Sequence, residues 1–273
     1  IRRQAPDITE IEDAASLVAS AKRPLIIAGG GVQYSGAIKE LSSFAETLNI
    51  PVVETIAGRA NMLATHPLNI GPVGVTGSDS ANWAAERADV ILSVGCRLQD
   101  FTTGSWTAFS HDAQFISLNA ARHDAAKHRS LPVVGDAKLG LAALQKTLGE
   151  RCGDPTWTKE AQAQRQIWDH TVAETVRAGD NRPNSYAQAI GVVNALVADH
   201  DRVVAAAGGL PAEVTANWRT LRTGTVDVEF GFSCMGYEIA GAWGARIAQS
   251  EKEPEADTIS FVGDGSYLML NSD

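Results

Sequence analysis

The stretch Asp257-Thr258-Ile259-Ser260-Phe261-Val262-Gly263-Asp264-Gly265-Ser266-Tyr267-Leu268-Met269-Leu270-Asn271 joins an apolar strand, a glycine turn and a second apolar run. A strand that ends at glycines and leads into a helix is the building unit of a parallel sheet covered by helices. Asp264, between two glycines, is a hard oxygen ligand for Mg²⁺ or Ca²⁺. The amides of Gly265 and Ser266 would open the helix, whose dipole favours an anion. The alternative, a solvent-exposed Asp-Gly turn, normally has polar neighbours.

The same succession of helix, apolar strand and glycine turn occurs along most of the chain. Apolar strands are predicted at residues 25–28, 50–53, 90–94, 114–118, 132–134, 202–206 and 258–262. Helices are predicted at 11–21, 36–48, 80–87, 139–148, 185–198 and 212–218 and from 235 onward, with a loop at 223–226. Asn184 or Ser185 is expected to cap the helix at 185–198. Apolar runs separated by helices are typical of parallel sheets covered on both faces. The sequence therefore predicts an α/β fold with two Rossmann-like parallel-sheet units.

Composition limits the classes of function. The chain has 273 residues, 44% of them hydrophobic, and a net charge of -9, which disfavours nucleic acid and anionic membranes as partners and favours a small-molecule enzyme. No apolar run approaches the roughly 20 residues needed to span a bilayer. Cys96, Cys152 and Cys234 show no CxxC spacing, which favours a reducing cytoplasm over a disulfide framework or a zinc site. Since Ile1 is not an initiator methionine, we expect a piece of a longer cytoplasmic protein.

A first glycine cluster, Gly29-Gly30-Gly31, follows the strand at residues 25–28. A nucleotide phosphate could meet backbone amides and a helix dipole at this position. The signal is weak, because the GxGxxG spacing and the GK[ST] of a P-loop are both absent. A tight turn that requires positive φ is the favoured alternative.

Two further loops of the second unit could form a site with Asp264. Gly208-Gly209-Leu210-Pro211 follows a predicted strand, and Met235, in a turn beside Gly236, could support a ring stacked above it. Ligands of open α/β sheets collect at such strand ends. The next helix has an apolar face that we predict to pack in the core, formed by Ala240, Trp243, Gly244 and Ile247.

The other reactive residues show no catalytic spacing. The histidines form no HExxH pair or similar ligand set, so we expect surface or polar-core roles for His66, His111, His123, His128, His170 and His200. A GxSxG elbow is absent, which leaves serine-hydrolase chemistry without a nucleophile.

These segments resemble thiamine diphosphate enzymes related to acetolactate synthase. In the second unit the resemblance rests on Gly263-Asp264-Gly265-Ser266, preceded at the family's distance by Met235-Gly236-Tyr237 and an Ala/Gly-rich helix. In the first unit it rests on Lys22-Arg23-Pro24-Leu25, Gly29-Gly30-Gly31, Ile50-Pro51-Val52, Gly74-Val75-Thr76-Gly77, Ala88-Asp89-Val90, Gly95-Cys96-Arg97-Leu98 and Gly135-Asp136-Ala137-Lys138. The resemblance implies a central domain at 1–150 and a diphosphate-binding domain at 185–273, truncated at its carboxyl end. Between them, the polar, helix-prone composition of residues 156–177 indicates a linker wrapped on the surface, at 151–184.

Within this family, longer strings resemble the hydrolases that open the ring of 3D-(3,5/4)-trihydroxycyclohexane-1,2-dione in myo-inositol catabolism. These strings are residues 28–37, 100–103, 124–128, 232–241 and 262–269. One departure is Ala207-Gly208-Gly209-Leu210-Pro211-Ala212, where the family has a serine after the first glycine and a glycine after the proline. The departure affects the hydrogen bonds expected of that loop but not its place.

The resemblance implies C–C bond hydrolysis with thiamine diphosphate and Mg²⁺, releasing 5-deoxy-D-glucuronate from the cyclitol-derived dione. It also implies a homo-oligomer, a dimer or tetramer, with the active site between subunits. Met235 would hold the cofactor in its bent shape and Asp264 would bind the metal. The implied cofactor-binding residues are Gly208, Gly209, Leu210, Met235, Gly236, Gly263, Asp264, Gly265 and Ser266.

Two required parts of such a site are expected outside this chain. The family's catalytic glutamate belongs to a domain expected before Ile1, so no catalytic residue is implied within the chain. The second metal ligand, an asparagine, is expected beyond Asp273, since Asn271 is too close to Asp264. We therefore expect the chain alone to have no turnover and at most weak cofactor affinity.

Two other functions stay open. One is an acetolactate synthase-like carboligase, whose central domain holds FAD. The other is a non-catalytic nucleotide-binding module that uses Gly29 to Gly31 as its phosphate loop.

Overall fold

Two parallel β-sheets organise the chain, in a computed structural model that describes residues 2–149, 154–177 and 185–272. The strands are β1 Pro24–Ala28, β2 Val52–Glu54, β3 Asn69–Pro72, β4 Val90–Val94, β5 Gln114–Asn119, β6 Leu131–Val134, β7 Arg202–Ala205, β8 Val226–Val228 and β9 Thr258–Phe261. The helices are α1 Ile8–Ser20, α2 Gly31–Tyr34, α3 Ile38–Leu48, α4 Asp79–Arg87, α5 Asp100–Thr103, α6 Arg122–Ala125, α7 Ala137–Leu148, α8 Pro155–Thr175, α9 Tyr186–Leu196, α10 Leu210–Asn217, α11 Tyr237–Ser250 and α12 Asp264–Leu270. The strand orders are β3-β2-β1-β4-β5-β6 and β8-β7-β9. The predicted α/β class with two parallel-sheet units is confirmed.

The first sheet is covered on both faces. Its central strands β1 and β4 are buried along their whole length and pair in parallel, with Ile26 opposite Leu92. One face packs against α1, α3 and α7, and the other against α4 and α8. Helices α1 and α7 are capped at their amino ends by Asp7 and Asp136, whose carboxylates accept backbone N–H groups of the first turn. Continuous apolar strands of this kind require such two-sided cover.

A helix docked on the first unit occupies most of the predicted linker. The indole of Trp157, on α8, stacks on Trp83 of α4 with ring centroids 5.6 Å apart, and its Nε1 donates to the carbonyl oxygen of Pro24 at 2.8 Å. Buried residues on one face of α8 therefore fix residues 154–177 against the first sheet. Residues 150–153, with Cys152, and residues 178–184, with the candidate cap Asn184, lie outside the described part. The other candidate cap, Ser185, forms a capping box with Gln188 at the start of α9.

A buried ion pair lies where the two units meet. The guanidinium of Arg59 pairs with the carboxylate of Glu54, which is fully buried, and donates a second hydrogen bond to the carbonyl oxygen of Trp218 at 2.7 Å. The other carboxylate oxygen of Glu54 accepts the backbone N–H of Met62 at 2.9 Å. Arg59 thus links the carboxyl end of β2 to the turn after α10 in the second unit.

Two short strands escaped the sequence prediction. Strand β3 includes Gly71 and Pro72, residue types with low strand propensity, so its pattern gives no strand signal. Strand β8 is only three residues long and pairs in parallel with β7, Val226 opposite Val203. The predicted loop at residues 223–226 is therefore wrong at its carboxyl end, because pairing along the edge of β7 extends a segment too short to be recognised by pattern.

The glycines of the first cluster are required by packing rather than by positive φ. Gly30 has a φ of -60°, and none of the three is among the glycines with positive φ. A Cβ on Gly31 would lie 2.6 Å from the Cα of Gly95, and one on Gly29 would overlap the carbonyl oxygen of Gly95. The prediction of a turn that needs positive φ is wrong, because the turns after β1 and β4 approach each other too closely for any side chain.

The apolar face of α11 points away from the sheet. Trp243 is 69% exposed and Ile247 is 52% exposed, whereas Glu238 and Ala242 are the buried residues of the helix. The predicted core role of Ala240, Trp243, Gly244 and Ile247 is therefore wrong within the described residues. Helical periodicity identifies an apolar stripe, but it does not reveal which surface covers that stripe.

Candidate functional site

Three loops meet at one edge of the second sheet. They follow β7, β8 and β9, and they lead into α10, α11 and α12 respectively. Because β7 pairs in parallel with both β8 and β9, the carboxyl ends of all three strands lie at the same edge. Ligands of open α/β sheets bind outside such strand ends. This edge brings all nine sequence-predicted site residues into one region.

The loop after β7 contains Gly208 and Gly209, both exposed, and ends at the partly buried Leu210. Gly208 has a φ of 81°, a left-handed conformation that favours glycine, and a Cβ there would contact no described residue within 4 Å. Gly209 lies beside the ring of Tyr186, which would be 3.6 Å from an added Cβ. The loop therefore exposes backbone toward open space at the strand end.

The turn before α11 places Met235 at the surface and Gly236 inside. The Met235 side chain is 50% exposed, so it is accessible to a ligand bound at this edge. Gly236 has a φ of 92°, and an added Cβ would overlap the side chain of Leu270 on α12. Only glycine satisfies both conditions, so the turn locks α11 against α12.

Asp264 and its flanking glycines form a second open part of the site. Asp264 is the first residue of α12, and its Oδ1 accepts the backbone N–H of Gly265 at 2.9 Å. At Gly263 and Gly265 an added Cβ would meet nothing within 4 Å, and neither residue has positive φ. Neither packing nor backbone conformation within the described chain requires these two glycines. Close approach of a ligand to the backbone would account for both.

The hydroxyl of Ser266 points into the fold. Its Oγ accepts the backbone N–H of Gly236 at 2.8 Å and donates to Oε2 of Glu238 at 3.0 Å. Since both contacts are buried, the hydroxyl is engaged in holding α12 to the Met235 turn. An anion at the open edge would meet the backbone of Ser266 rather than this hydroxyl.

Glu238 is the residue of this region that sequence reasoning missed. Its side chain is fully buried, and its carboxylate accepts hydrogen bonds from Ala207 N–H at 2.9 Å, Gly236 N–H at 3.0 Å and the Ser266 hydroxyl at 3.0 Å. These donors come from all three loops. The only sequence signal for Glu238 is that it is a single carboxylate in the first turn of an Ala/Gly-rich helix. A glutamate is almost never fully buried unless its carboxylate is paired, so burial of this helix turn would require bonded partners.

A second carboxylate organises the loop between β8 and α11. Glu229 accepts the backbone N–H groups of Gly231, Phe232 and Cys234 at 2.8 to 3.0 Å. Burial raises the pKa of Glu229, but these hydrogen bonds to the charged form outweigh it and hold the pKa below its ordinary value. The loop therefore keeps its shape around a charged carboxylate.

A cleft of about 640 Å³ separates this loop from the carboxyl edge of the first sheet. Its lining includes Gly30, Gly31, Asn119, Glu229, Phe230 and Tyr237. The ring of Phe230 meets Phe101 of the first unit edge-on, with centroids 4.5 Å apart. Burial and the nearby Asp227 raise the pKa of the Tyr237 phenol, so it is neutral at physiological pH. The cleft adjoins the three-loop edge without containing Asp264.

The described residues offer one carboxylate, rather than a cluster, for a metal at this edge. Within residues 2–149, 154–177 and 185–272, no three His, Cys, Asp or Glu side chains converge as a metal site. Mg²⁺ typically binds one or two carboxylates together with phosphate oxygens and water. Asp264 therefore fits a metal whose other ligands come largely from a bound diphosphate. Cys96 is buried and Cys234 exposed, both as free thiols.

Comparison with protein families matches both units. Residues 11–144 match the model described as thiamine pyrophosphate enzyme, central domain, and residues 206–273 match the C-terminal TPP binding domain of the same enzymes. The chain belongs to the thiamine pyrophosphate enzyme family. The resemblance drawn from the sequence is thereby confirmed. Thiamine pyrophosphate is another name for thiamine diphosphate, which is the cofactor of this family. The open glycine edge and the exposed Met235 and Asp264 fit such a group.

Curated relatives within this family carry a more specific name. The chain is similar to 3D-(3,5/4)-trihydroxycyclohexane-1,2-dione hydrolase of Geobacillus thermodenitrificans, 38% identical over the whole chain and 45% of the relative. It is also similar to the protein of that name from Bacillus cereus strain AH820, 36% identical over the whole chain and 46% of the relative. The chain thus spans about half the length of these relatives.

Among the helices of the described residues, none combines the length and apolar character that a membrane crossing requires.

Proposed function

We propose that this chain supplies the diphosphate- and metal-holding side of the active site in an enzyme that hydrolyses a C–C bond of 3D-(3,5/4)-trihydroxycyclohexane-1,2-dione to 5-deoxy-D-glucuronate. The observation that carries the proposal is the open glycine edge, where neither packing nor backbone conformation among the described residues requires Gly263 and Gly265 to be glycine. The relatives that bear this hydrolase name support the choice of substrate.

The residues of the three loops have separate roles in this proposal. Asp264 holds Mg²⁺, and the backbone of Gly265 and Ser266 meets the diphosphate at the start of α12, where the helix dipole favours negative charge. Met235 supports the bent cofactor from its half-exposed turn. The backbone from Gly208 to Leu210 faces the cofactor rings. When bound, thiamine diphosphate supplies the nucleophilic carbon for C–C cleavage.

Assembly into a homo-oligomer, a dimer or tetramer with its active site between subunits, is part of the same proposal. The exposed apolar stripe of α11, including Trp243 and Ile247, supports it, because contiguous apolar surface of this kind marks contact sites. We place the enzyme in the cytoplasm because Cys96, Cys152 and Cys234 show no disulfide-framework spacing. The net charge of -9 argues against nucleic-acid and anionic-membrane partners.

The reaction class is tested with the full-length protein, Mg²⁺, thiamine diphosphate and the cyclic dione. We expect ring opening to 5-deoxy-D-glucuronate, detected by chromatography and mass spectrometry. When pyruvate replaces the dione, we expect no carboligation. Acetolactate formation from pyruvate by a yellow, flavin-containing preparation would instead favour the carboligase alternative. For residues 1–273 expressed alone, we expect no turnover.

The metal role of Asp264 is tested by Asp264→Asn in the full-length protein. Loss of the carboxylate charge should weaken Mg²⁺-dependent binding of thiamine diphosphate by at least about tenfold, measured by calorimetry. The matched control is Asp257→Asn, an exposed aspartate just before the amino end of β9, which should leave cofactor affinity unchanged. Equal cofactor affinity in Asp264→Asn and the unmodified protein would remove Asp264 from the metal site.

A further inference from the structure

Glu238 connects every loop of the proposed cofactor site through one carboxylate. Oε1 accepts from Ala207, which directly precedes Gly208, and Oε2 accepts from Gly236 and from the hydroxyl of Ser266. Its own carbonyl oxygen accepts the hydroxyl of Ser260 on β9 at 2.8 Å. One residue of α11 is thus bonded to the segments that follow β7 and β8 and to both ends of the segment around Asp264.

Burial of the Glu238 carboxylate costs free energy of desolvation. A buried carboxylate loses its hydration, and among the described residues no Lys, Arg or His side chain forms an ion pair with Glu238. Three hydrogen bonds from neutral donors offset this loss. An apolar side chain of similar size would fill the space without any desolvation cost, but it would leave Ala207 N–H without its partner and the three loops unconnected.

We propose that Glu238 is a positioning residue that holds the three cofactor-binding loops in one fixed arrangement before the cofactor binds. The proposal rests on the function proposed above. Each loop meets a different part of the cofactor, so a shift of one loop relative to another separates the metal ligand from the ring contacts. Sites held to within about half an ångström need such support behind the contacting residues. Glu238 provides this support without touching the cofactor itself.

The discriminating variant is Glu238→Gln in the full-length protein. A carboxamide has nearly the same size but only one acceptor oxygen, so it serves either Ala207 or the pair formed by Gly236 and Ser266, and not both. Ser266→Ala is a milder variant, which removes only the link between α12 and the other two partners. It keeps the test decisive if Glu238→Gln does not fold.

The matched control is Asp201→Asn, at the opposite end of the same sheet. The carboxylate of Asp201 accepts the backbone N–H groups of Ala198 at 2.8 Å and Asp257 at 2.7 Å. It therefore joins the starts of β7 and β9 as Glu238 joins the segments at their ends. A general loss of stability affects both variants, whereas a positioning role concerns only the Glu238 variant.

The first measurement is amide hydrogen exchange of the cofactor-free protein. Glu238→Gln should raise exchange together in the peptides covering residues 206–210, 234–238 and 262–267. Ser266→Ala should raise it in the last two of these only. Asp201→Asn should raise exchange near residues 198–203 and 256–258 and leave all three loops protected.

The second measurement is thiamine diphosphate affinity at saturating Mg²⁺, by calorimetry. Glu238→Gln should weaken binding about 10- to 100-fold, the range expected when a hydrogen bond to a charged group is lost. For Ser266→Ala the expected loss is about three- to tenfold. The affinity of Asp201→Asn should stay within about twofold of that of the unmodified protein. If Glu238 acted only through general stability, both variants would lose affinity alike.

Three outcomes overturn the inference. They are unchanged affinity in both Glu238→Gln and Ser266→Ala, an affinity loss in Asp201→Asn as large as in Glu238→Gln, and exchange that rises in a single loop of Glu238→Gln. If the unmodified full-length protein binds no thiamine diphosphate, the proposed function itself fails, and that result is distinguishable because it precedes any variant.

Discussion

The two sheets of this chain differ in how completely they are covered. Strands β1 and β4 of the first sheet are buried at every residue, whereas β9 of the second is only partly buried at every residue. Helix α11, beside β9, exposes Trp243, and α12 exposes Tyr267 and Leu268. The first unit thus satisfies its own apolar surface. The second places its buried contacts where they hold loops together and leaves apolar surface for other contacts.

This difference separates two uses of the same strand-turn-helix unit. In the first unit, glycines after β1 allow backbone to pack on backbone, because a Cβ on Gly29 or Gly31 would overlap Gly95, although Gly31 also lines the cleft. In the second, Gly263 and Gly265 face open space. The same residue type at equivalent strand ends therefore indicates packing in one unit and access in the other.

The largest expected contrast is in stability. Phe44→Ala removes a fully buried ring between α3 and the first sheet and should lower the free energy of unfolding by about 3–5 kcal/mol. Trp243→Ala should change it by less than about 0.5 kcal/mol, because that side chain is largely exposed. Urea unfolding of residues 1–273, followed by far-UV circular dichroism, compares the two.

The same pair of variants sharpens the contrast in the full-length protein. A large loss for Trp243→Ala in the full-length protein, together with a small loss in residues 1–273, would mean that the α11 stripe is covered only after assembly. Equal losses for Phe44→Ala and Trp243→Ala in residues 1–273 would contradict the difference in burial.

A smaller contrast is expected between glycines. Gly29→Ala forces a Cβ into the carbonyl of Gly95 and should cost about 1–3 kcal/mol of stability. Gly263→Ala should leave stability unchanged or raise it by up to about 1 kcal/mol, since its φ of -73° suits alanine and the space is open. Thermal unfolding without cofactor measures both. Equal destabilisation by the two variants would contradict the assignment of Gly263 to an accessible edge.

The smallest expected effect concerns pH and the loop around Glu229. The pKa of Glu229 is lowered in the folded protein, so its contribution to stability is fully present above the ordinary value of 4.5 and is lost as pH falls through the lowered value. Solvent screening should keep this contribution below about 1 kcal/mol. Urea midpoints of the unmodified protein and Glu229→Gln should therefore differ near neutral pH and converge in acid. A difference that persists unchanged in acid would contradict the charge-dependent role.

Most element types were predictable, because they depend on local patterns. Alternation of apolar runs with helix-length segments indicates the parallel sheets, and the cap of α9 is narrowed by sequence to Asn184 or Ser185, of which the structure shows Ser185. The elements that escaped prediction lack such patterns. Strand β3 carries a glycine and a proline, and β8 is three residues long, so only pairing with a neighbouring strand defines them.

The candidate site divides along the same line. Asp264 between glycines at a strand end, and Met235 beside Gly236, stand out within a few residues of sequence. The inward direction of Ser266 and the bridging role of Glu238 do not, because the partners of the Glu238 carboxylate lie 28 to 31 residues away along the chain, apart from the nearby Gly236. A motif shows which chemistry is available, but not which of its groups face inward.

The sequence by itself determined the α/β class, the family and the position of the Gly263 to Ser266 motif, because each depends on residues close together in the chain. The tertiary structure alone decided that α11 exposes its apolar stripe, that the glycines after β1 serve packing, and that Glu238 joins three loops. These features depend on which distant atoms meet after the strands align. Burial and these hydrogen bonds arise from contacts between residues far apart in the chain, so a local sequence pattern does not encode them.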